Sequence, residues 1–382
     1  MEVRRGEPIW ALGLMSGTSL DGVDAALLLT NGERIEAFGA SGFTPYDRLG
    51  ATALLPIMDD PLRHWKGARE DDRARLEAAE REVVRLHARA VVDLLADGAE
   101  PPALVGFPGQ TVAHYPEKRW TWQLGDGARL AAALNRAVAW DFRTADIEAG
   151  GQGAPLAPFF HLAAARWAGL EGPVAFVNVG GVGNVTWVDP ARDEAALVAF
   201  DTGPGNALLN DWMQARTGQP VDADGAVAAR GAVHEAPFAT NFVADYLQRP
   251  GPKSLDRNTF GTLLERVAHL GMEDGAASLT AFTARCIAAS LPHLPEPPAR
   301  WLACGGGRRN PTMMAMTSDA LGAPVEPVEA VGLDGDMLEA QAFAYLAVRV
   351  ARGLPLSAPG TTGVPRAMGG GRLSPPPPPP GD

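Results

Sequence analysis

Cysteine and lysine are the scarce residues of this 382-residue chain. The only two cysteines, Cys286 and Cys304, are too few for a disulfide framework or a cysteine-rich zinc site, and they suit a reducing compartment. The three lysines, Lys66, Lys118 and Lys253, follow Trp65, Glu117 and Pro252, so none completes the Gly-Lys-Ser/Thr of a P-loop. Positive charge is short as well. The 33 Lys+Arg against 45 Asp+Glu give a formal net charge of -12, which argues against nucleic acid or an anionic membrane surface as the main partner. No apolar run reaches the ~20 residues that a membrane helix needs. The apolar stretch Ile9 to Met15 meets Asp21 and Asp24 with no small-residue cleavage site between, so no signal peptide is expected either. The seven histidines include no i, i+4 pair, so no histidine metal site is expected. A soluble, cytoplasmic protein with a small-molecule ligand is the expectation.

What the chain does have is apolar content, 46% of residues, enough at this length to bury the cores of two domains. Trp10 to Met15, a Ser/Gly/Thr-rich turn and Val23 to Leu29 read as a β-hairpin. Val174 to Val179, a turn with Gly180, Gly181 and Gly183, and Val185 to Val188 repeat that pattern about 165 residues later, which suggests two related α/β domains. Ala68 to Ala96 carries helical spacing, Ala103 to Gly106 reads as a short buried strand, and further helices are expected near 260–290 and 334–353. The expected division is a first lobe of residues 1–145 with 335–354, a second lobe of 146–334, and a tail of 355–382. Its Pro/Gly-rich composition, ending in six prolines from Pro375 to Pro380, predicts disorder or polyproline II.

Three glycine-rich strings carry candidate chemistry. In Gly13 to Asp24, Gly17 and Gly22 allow close backbone approach, Thr18 and Ser19 add hydroxyls, and Asp21 and Asp24 add carboxylates at the turn, with Leu20 and Val23 between them. Amides and hydroxyls suit phosphate oxygens, and Asp21 suits the Mg²⁺ that travels with a nucleotide. Phe200-Asp-Thr-Gly-Pro-Gly-Asn206 places Asp201 before glycines and a helix start, an acid/base group beside an anion site. Cys304-Gly-Gly-Gly-Arg-Arg-Asn310 forms a turn over which a ring or phosphate could lie, with Arg308 and Arg309 placed to stack or pair there. Gln110, Thr111, Arg143 and Gln152 have the hydrogen-bonding character of sugar-binding side chains. Each of these is also open to a plain structural role in a turn or cap.

In combination these strings resemble the anhydro-N-acetylmuramic acid kinases. The resemblance spans Ile9 to Val350 and rests on Gly13 to Asp24, Gly109-Gln-Thr-Val112, Asp141 to Pro155, Asn178-Val-Gly-Gly181 with Asn184, Asp201-Thr-Gly-Pro204, Pro252-Lys-Ser254, and Cys304-Gly-Gly-Gly307 with Asn310, in that order. It implies two facing actin/hexokinase-like α/β domains with an interdomain nucleotide cleft, and an ATP- and Mg²⁺-dependent kinase acting in peptidoglycan recycling. Such an enzyme opens 1,6-anhydro-N-acetylmuramic acid with water and phosphorylates the 6-oxygen, giving N-acetylmuramic acid 6-phosphate and ADP. Carried over by motif, Asp201 is the base. Gly17 to Asp24, Gly180, Gly181, Asn184, Gly305, Gly306, Gly307 and Asn310 contact the nucleotide, and Gln110, Thr111, Arg143 and Gln152 contact the sugar. A homodimer is a candidate assembly. Two positions depart from the family pattern: Pro108 stands where a histidine is usual, and Arg308 is bulky for an adenosine loop. The alternatives are a kinase of this fold for another sugar, without ring opening, and a non-catalytic ATP-binding sugar sensor.

Overall fold

The computed structural model describes residues 6–17, 20–64, 70–257 and 259–378. Thr18 and Ser19, both expected at the phosphate turn, lie outside the described residues. The chain divides into two compact units, Met1–Gly153 with Met337–Ala358 and Val364–Asp382, and Ala154–Asp336 with Pro359–Gly363.

In the first unit, β1 (Ile9–Met15), β2 (Gly22–Thr30) and β3 (Ile35–Pro45) form an antiparallel meander. β4 (Leu104–Phe107) lies parallel to β1, and β7 (Ala137–Trp140) parallel to β4. Between them β5 (Gln110–Tyr115) and β6 (Trp120–Leu124) make a separate two-stranded ribbon. The second unit repeats this plan. β8 (Val174–Val179), β9 (Val182–Val188) and β10 (Val198–Pro204) form the meander, and β11 (Arg300–Cys304) and β12 (Val325–Pro327) add in parallel beyond β8. Both central sheets therefore run third, second, first, fourth, fifth in order of appearance. A duplicated topology explains why the two hairpins match while the rest of the sequence shows no long repeat: the packing pattern is shared, the side chains are not.

The helices supply the other layer. Glu70–Ala96 is one continuous helix whose Ala79, Val83, Leu86, Ala90, Val91 and Leu94 lie in the first unit's core, the 3.6-residue period seen in the sequence. Helix Leu338–Arg352 packs on β1, β2 and β4. In the second unit the helices Ala207–Thr217 and Met272–Ala288 pack together around Trp212, Leu279 and Phe282.

The Pro/Gly-rich tail is a correction to the sequence reading. From Leu356 to Ser374 it is folded: Leu356 N–H donates 2.8 Å to Met368 O, Leu356, Ala358 and Val364 are buried, and Pro359–Thr362 is a short helix. β13 (Arg372–Ser374) then pairs antiparallel with β7, and Trp140 Nε1 donates 3.0 Å to Ser374 Oγ. Average composition predicted disorder because prolines dominate it; a few apolar side chains with core positions to fill outweigh that average.

Two buried histidines, His87 and His161, and the half-buried His114 make acid stability a testable property of this fold. Burial pushes His87 and His114 down to about 4 and His161 to about 3, with the Arg143 charge adding to the effect at His114. An unfolded histidine titrates near ~6.5, so between that pH and the folded values the unfolded chain binds more protons. Stability present at neutral pH is therefore lost as pH falls from about 6.5 toward 4. His161 stacks on Phe176 at 4.6 Å. We expect His161→Phe, which keeps the ring and removes one proton site, to flatten the fall of Tm between pH 6.5 and 5; a slope equal to that of the parent protein would contradict it.

Candidate active site

The first unit presents the β1–β2 connection, of which Ser16, Gly17, Leu20 and Asp21 are described, closed by the Met15–Asp24 pair. Gln110 is fully buried beneath it and clamps it, accepting from Ser16 Oγ at 2.7 Å and donating from Nε2 to Gly17 O at 3.2 Å. Ser16 Oγ lies 2.6 Å from Tyr46 Oη, and Tyr46 N–H donates to Asp21 O at 2.9 Å. Burial pushes the Tyr46 hydroxyl up to about 12, with the Ser16 bond opposing and the Asp21 charge adding, so it stays a neutral donor. Gln110 thus shapes the turn, whereas its residue type had suggested a sugar contact.

The other turn residues divide by environment. Leu20 has φ 55, left-handed for a branched residue, and its side chain joins Val23 in the core, so only their backbones face outward. A Cβ on Gly22 would lie 2.5 Å from the Phe43 ring and from Thr44 O, so that glycine serves packing. Asp21 is exposed, with Oδ1 accepting from Gly22 N–H at 3.1 Å, and Asp24 is half-buried in β2. Thr111 lies on β5 opposite Gln123. Three residues on, His114 stands beside the loop of the remaining sugar candidates: its Cε1 is 3.1 Å from where a Gly153 Cβ would sit. Arg143 donates to Gly153 O at 2.7 Å and Asp146 Oδ1 accepts from Gly153 N–H at 2.6 Å. Arg143 and Gln152 are thereby brought into one cluster. Pro108, an apolar side chain where a histidine was expected, lines a recess of about 150 Å³ with Gly109, Gln123, Trp140 and Asp141.

The second unit brings its candidates together more closely. The strand registers align Cys304 with Asn178, Asn178 with Asn184, and Asn184 with Asp201. These four residues form one row across the sheet at the carboxyl ends of the parallel strands β8 and β11, where ligands of open α/β sheets bind. Asp201 is 8% exposed, and Leu255 N–H donates 2.7 Å to its Oδ2. Its main chain is held on both sides: its N–H donates to Lys253 O at 2.9 Å, and Tyr246 Oη donates to its carbonyl at 2.7 Å.

The hairpin turn is tied to the start of helix Ala207–Thr217. Gly205 and Ala207 donate to Gly181 O at 2.9 and 3.2 Å, and Asn206 N–H to Gly180 O at 2.7 Å, while Asn206 Nδ2 reaches Val179 O. The carbonyls of the turn cap the helix, so the turn and the helix start move as one piece. The triple glycine packs on the same hairpin, with the Cβ positions of Gly305 and Gly307 falling 2.2 Å from Asn178 Oδ1 and 2.5 Å from Val179 Cγ1. A Cβ on Gly181 or Gly306 would meet nothing within 4 Å, and neither glycine has a positive φ. The protein's own packing gives no reason for glycine at these two positions, which is the pattern left where something else approaches the backbone.

Two expectations change. Asn310 Oδ1 accepts from Met313 N–H at 2.9 Å and caps helix Pro311–Leu321, a structural task. Arg308 keeps one bond to the turn, from Nη1 to Gly305 O at 3.1 Å, while its guanidinium also pairs with Glu329 at 2.8 Å and Asp336 at 2.9 Å, and Arg309 pairs with Asp336. Acidic partners drawn from residues 329–336 therefore share the guanidinium with the turn. Tyr46, Tyr246 and Lys253 were missed as parts of the site; only Lys253 carried a signal, as one of three lysines set in a matching motif.

A family model described as anhydro-N-acetylmuramic acid kinase matches residues 9–376. A protein of that name from Roseobacter denitrificans is 51% identical over 371 residues, 96% of this chain and 94% of its own. Another, from Cereibacter sphaeroides, is 54% identical over 376 residues, 97% of each chain.

Proposed function

Because the chain belongs to the anhydro-N-acetylmuramic acid kinase family and is a kinase, we propose that it uses ATP to convert 1,6-anhydro-N-acetylmuramic acid and water into N-acetylmuramic acid 6-phosphate and ADP, in the cytoplasm, as a step of peptidoglycan recycling. The observation that carries this assignment is the buried Asp201 carboxylate, oriented by the Leu255 amide, at the end of the row Cys304, Asn178, Asn184, Asp201. A carboxylate held there takes the proton of the water that adds to C1 as the C1–O6 bond breaks. The freed 6-oxygen then attacks the γ-phosphorus, and the bond to the β,γ-bridging oxygen breaks to release ADP. One base thus serves both halves, because ring opening generates the nucleophile that phosphoryl transfer consumes.

We assign the nucleotide to the backbones of Gly17, Asp21 to Asp24, Gly180, Gly181 and Gly305 to Gly307, with Asn184, as the resemblance to the family's motifs implies. Arg143, Gln152 and Thr111 are assigned to the sugar. Among the described residues no three His, Cys, Asp or Glu side chains converge to hold a metal by themselves. Mg²⁺ usually takes one or two carboxylates and completes its shell with water and phosphate oxygens, so the exposed Asp21 fits it as a protein ligand. When bound, Mg²⁺ would offset negative charge on the phosphate oxygens.

Incubation with Mg-ATP and 1,6-anhydro-N-acetylmuramic acid, following ADP and the mass of the sugar product, tests the proposal. A gain of phosphate plus water supports it. Phosphate alone, on this or another sugar, would point to a simple sugar kinase, and no sugar-dependent ADP to a sensor. The open glycines give a second check. Gly181→Ala and Gly306→Ala should leave Tm unchanged, within the roughly ±0.5 kcal/mol of a benign surface substitution. Each should raise KM for ATP about tenfold, since a methyl group displaces the ligand alone. A fall in Tm with unaltered KM would show that the glycines serve the fold.

A further inference from the structure

Lys253 is a buried cation of the second unit, 5% exposed, and no step above uses it. Its Nζ donates 2.9 Å to Tyr246 O and 2.8 Å to Arg249 O, carbonyls at the C-terminal end of helix Asn241–Gln248, and sits 4.4 Å from the centre of the Tyr246 ring. A cation at a helix C-terminus satisfies orphan carbonyls and meets the negative end of the dipole. The same two elements hold Asp201. Tyr246 gives its hydroxyl to the Asp201 carbonyl, Lys253 O accepts the Asp201 N–H, and Leu255, two residues on, donates to the carboxylate.

We propose that Lys253 is a positioning residue for Asp201: its ammonium pins the segment 252–255 to the end of helix Asn241–Gln248, and that segment fixes the carboxylate through the Leu255 amide. The proposal rests on Asp201 being the base. The titratable groups around the pair are Tyr246 and Arg249 from that helix, Cys286 from helix Met272–Ala288, and His293, whose Nε2 lies 3.0 Å from Leu247 O of the same helix and whose ring meets Phe200 edge-on. Burial pushes the Tyr246 hydroxyl far up, with the Asp201 charge adding, and pushes the Cys286 thiol up to about 12, so both are neutral at working pH. Burial and then Arg249 pull Lys253 down, the Asp201 charge pulls it up, and it settles at about 8, still mostly charged at neutral pH. The pin therefore supplies both an ordered amide and a positive neighbour, and each favours the ionised carboxylate.

The test is the pH dependence of kcat between pH 5 and 9, with Mg-ATP and 1,6-anhydro-N-acetylmuramic acid, for the parent, Lys253→Met, Lys253→Gln and Lys253→Arg. The Met and Gln variants should lose about tenfold in kcat with KM for ATP unchanged, and their acid limb should move up by about one pH unit. Lys253→Arg, which keeps the charge and the donors, should restore the limb. If Lys253→Met yields no folded protein, Lys253→Gln carries the measurement. An acid limb that stays in place in both variants, even with a lowered Tm, would reduce Lys253 to a helix cap and overturn the proposal. Asp201→Asn in the same assay separates the two failures: if it retains turnover the base assignment falls and takes this proposal with it, whereas an inactive Asp201→Asn with an unmoved limb sinks the positioning role alone.

Discussion

Asp201→Asn is expected to lower turnover by about 10²- to 10⁴-fold, the usual contribution of a positioned general base, while leaving nucleotide affinity and Tm close to those of the parent protein. The structure explains why the loss should be so selective. An amide oxygen at the same place still accepts from Leu255 N–H, and the main-chain bonds to Lys253 O and from Tyr246 Oη do not involve the side chain at all. What disappears is a group able to take a proton from water. The loss corresponds to about 3 to 5 kcal/mol of transition-state stabilisation. ADP release under saturating ATP and sugar, together with direct measurement of ATP binding, checks both halves. Near-normal turnover would remove Asp201 from the chemistry, and a parallel loss of ATP binding would make it part of the nucleotide site.

The parts of this site that the sequence showed are those whose cause is local. Both hairpins, the helix after Asn206 and the position of Asp201 follow from apolar runs interrupted by glycines, and neighbours in the chain suffice to predict them. The remaining features depend on partners far away in sequence. Gln110 looked like a sugar ligand because its amide is versatile; 93 residues separate it from the Gly17 carbonyl that occupies it. Asn310 had the composition of a ligand contact, yet the first turn of the helix that follows claims its oxygen. The Arg308 guanidinium is held by Glu329 and Asp336, acids that no local pattern connects to it, as well as by the Gly305 carbonyl. The tail failed for a related reason, since its order depends on the free edge of β7, a strand more than 230 residues upstream.

Gly13→Ala should cost about 3 kcal/mol or more, at or beyond the upper end for overpacking, although the added group is a single methyl. Gly13 opens the phosphate string but lies within β1, ahead of the turn, and its part is packing. An added Cβ would lie 1.8 Å from Ala340 O and 2.3 Å from Ala344 N, inside the backbone of helix Leu338–Arg352. Its register partner on β4, Gly106, is in the same position, with a Cβ 2.2 Å from Phe343 O. The two glycines form a bare platform on which the helix rests against the sheet. Backbone atoms cannot rotate aside as a side chain can, so the helix must lift, loosening the contacts of Ala340, Phe343, Ala344 and Ala347 together. For a unit of this size the loss predicts a Tm drop of roughly 6 to 12 °C, against no change for the same substitution at Gly181. A Tm within 2 °C of the parent would mean that the helix is not seated on Gly13. Gly106→Ala should behave alike, and the double variant should lose clearly less than the two single losses added, because one displacement of the helix relieves both clashes. Strict additivity would show that the two glycines accommodate separate contacts.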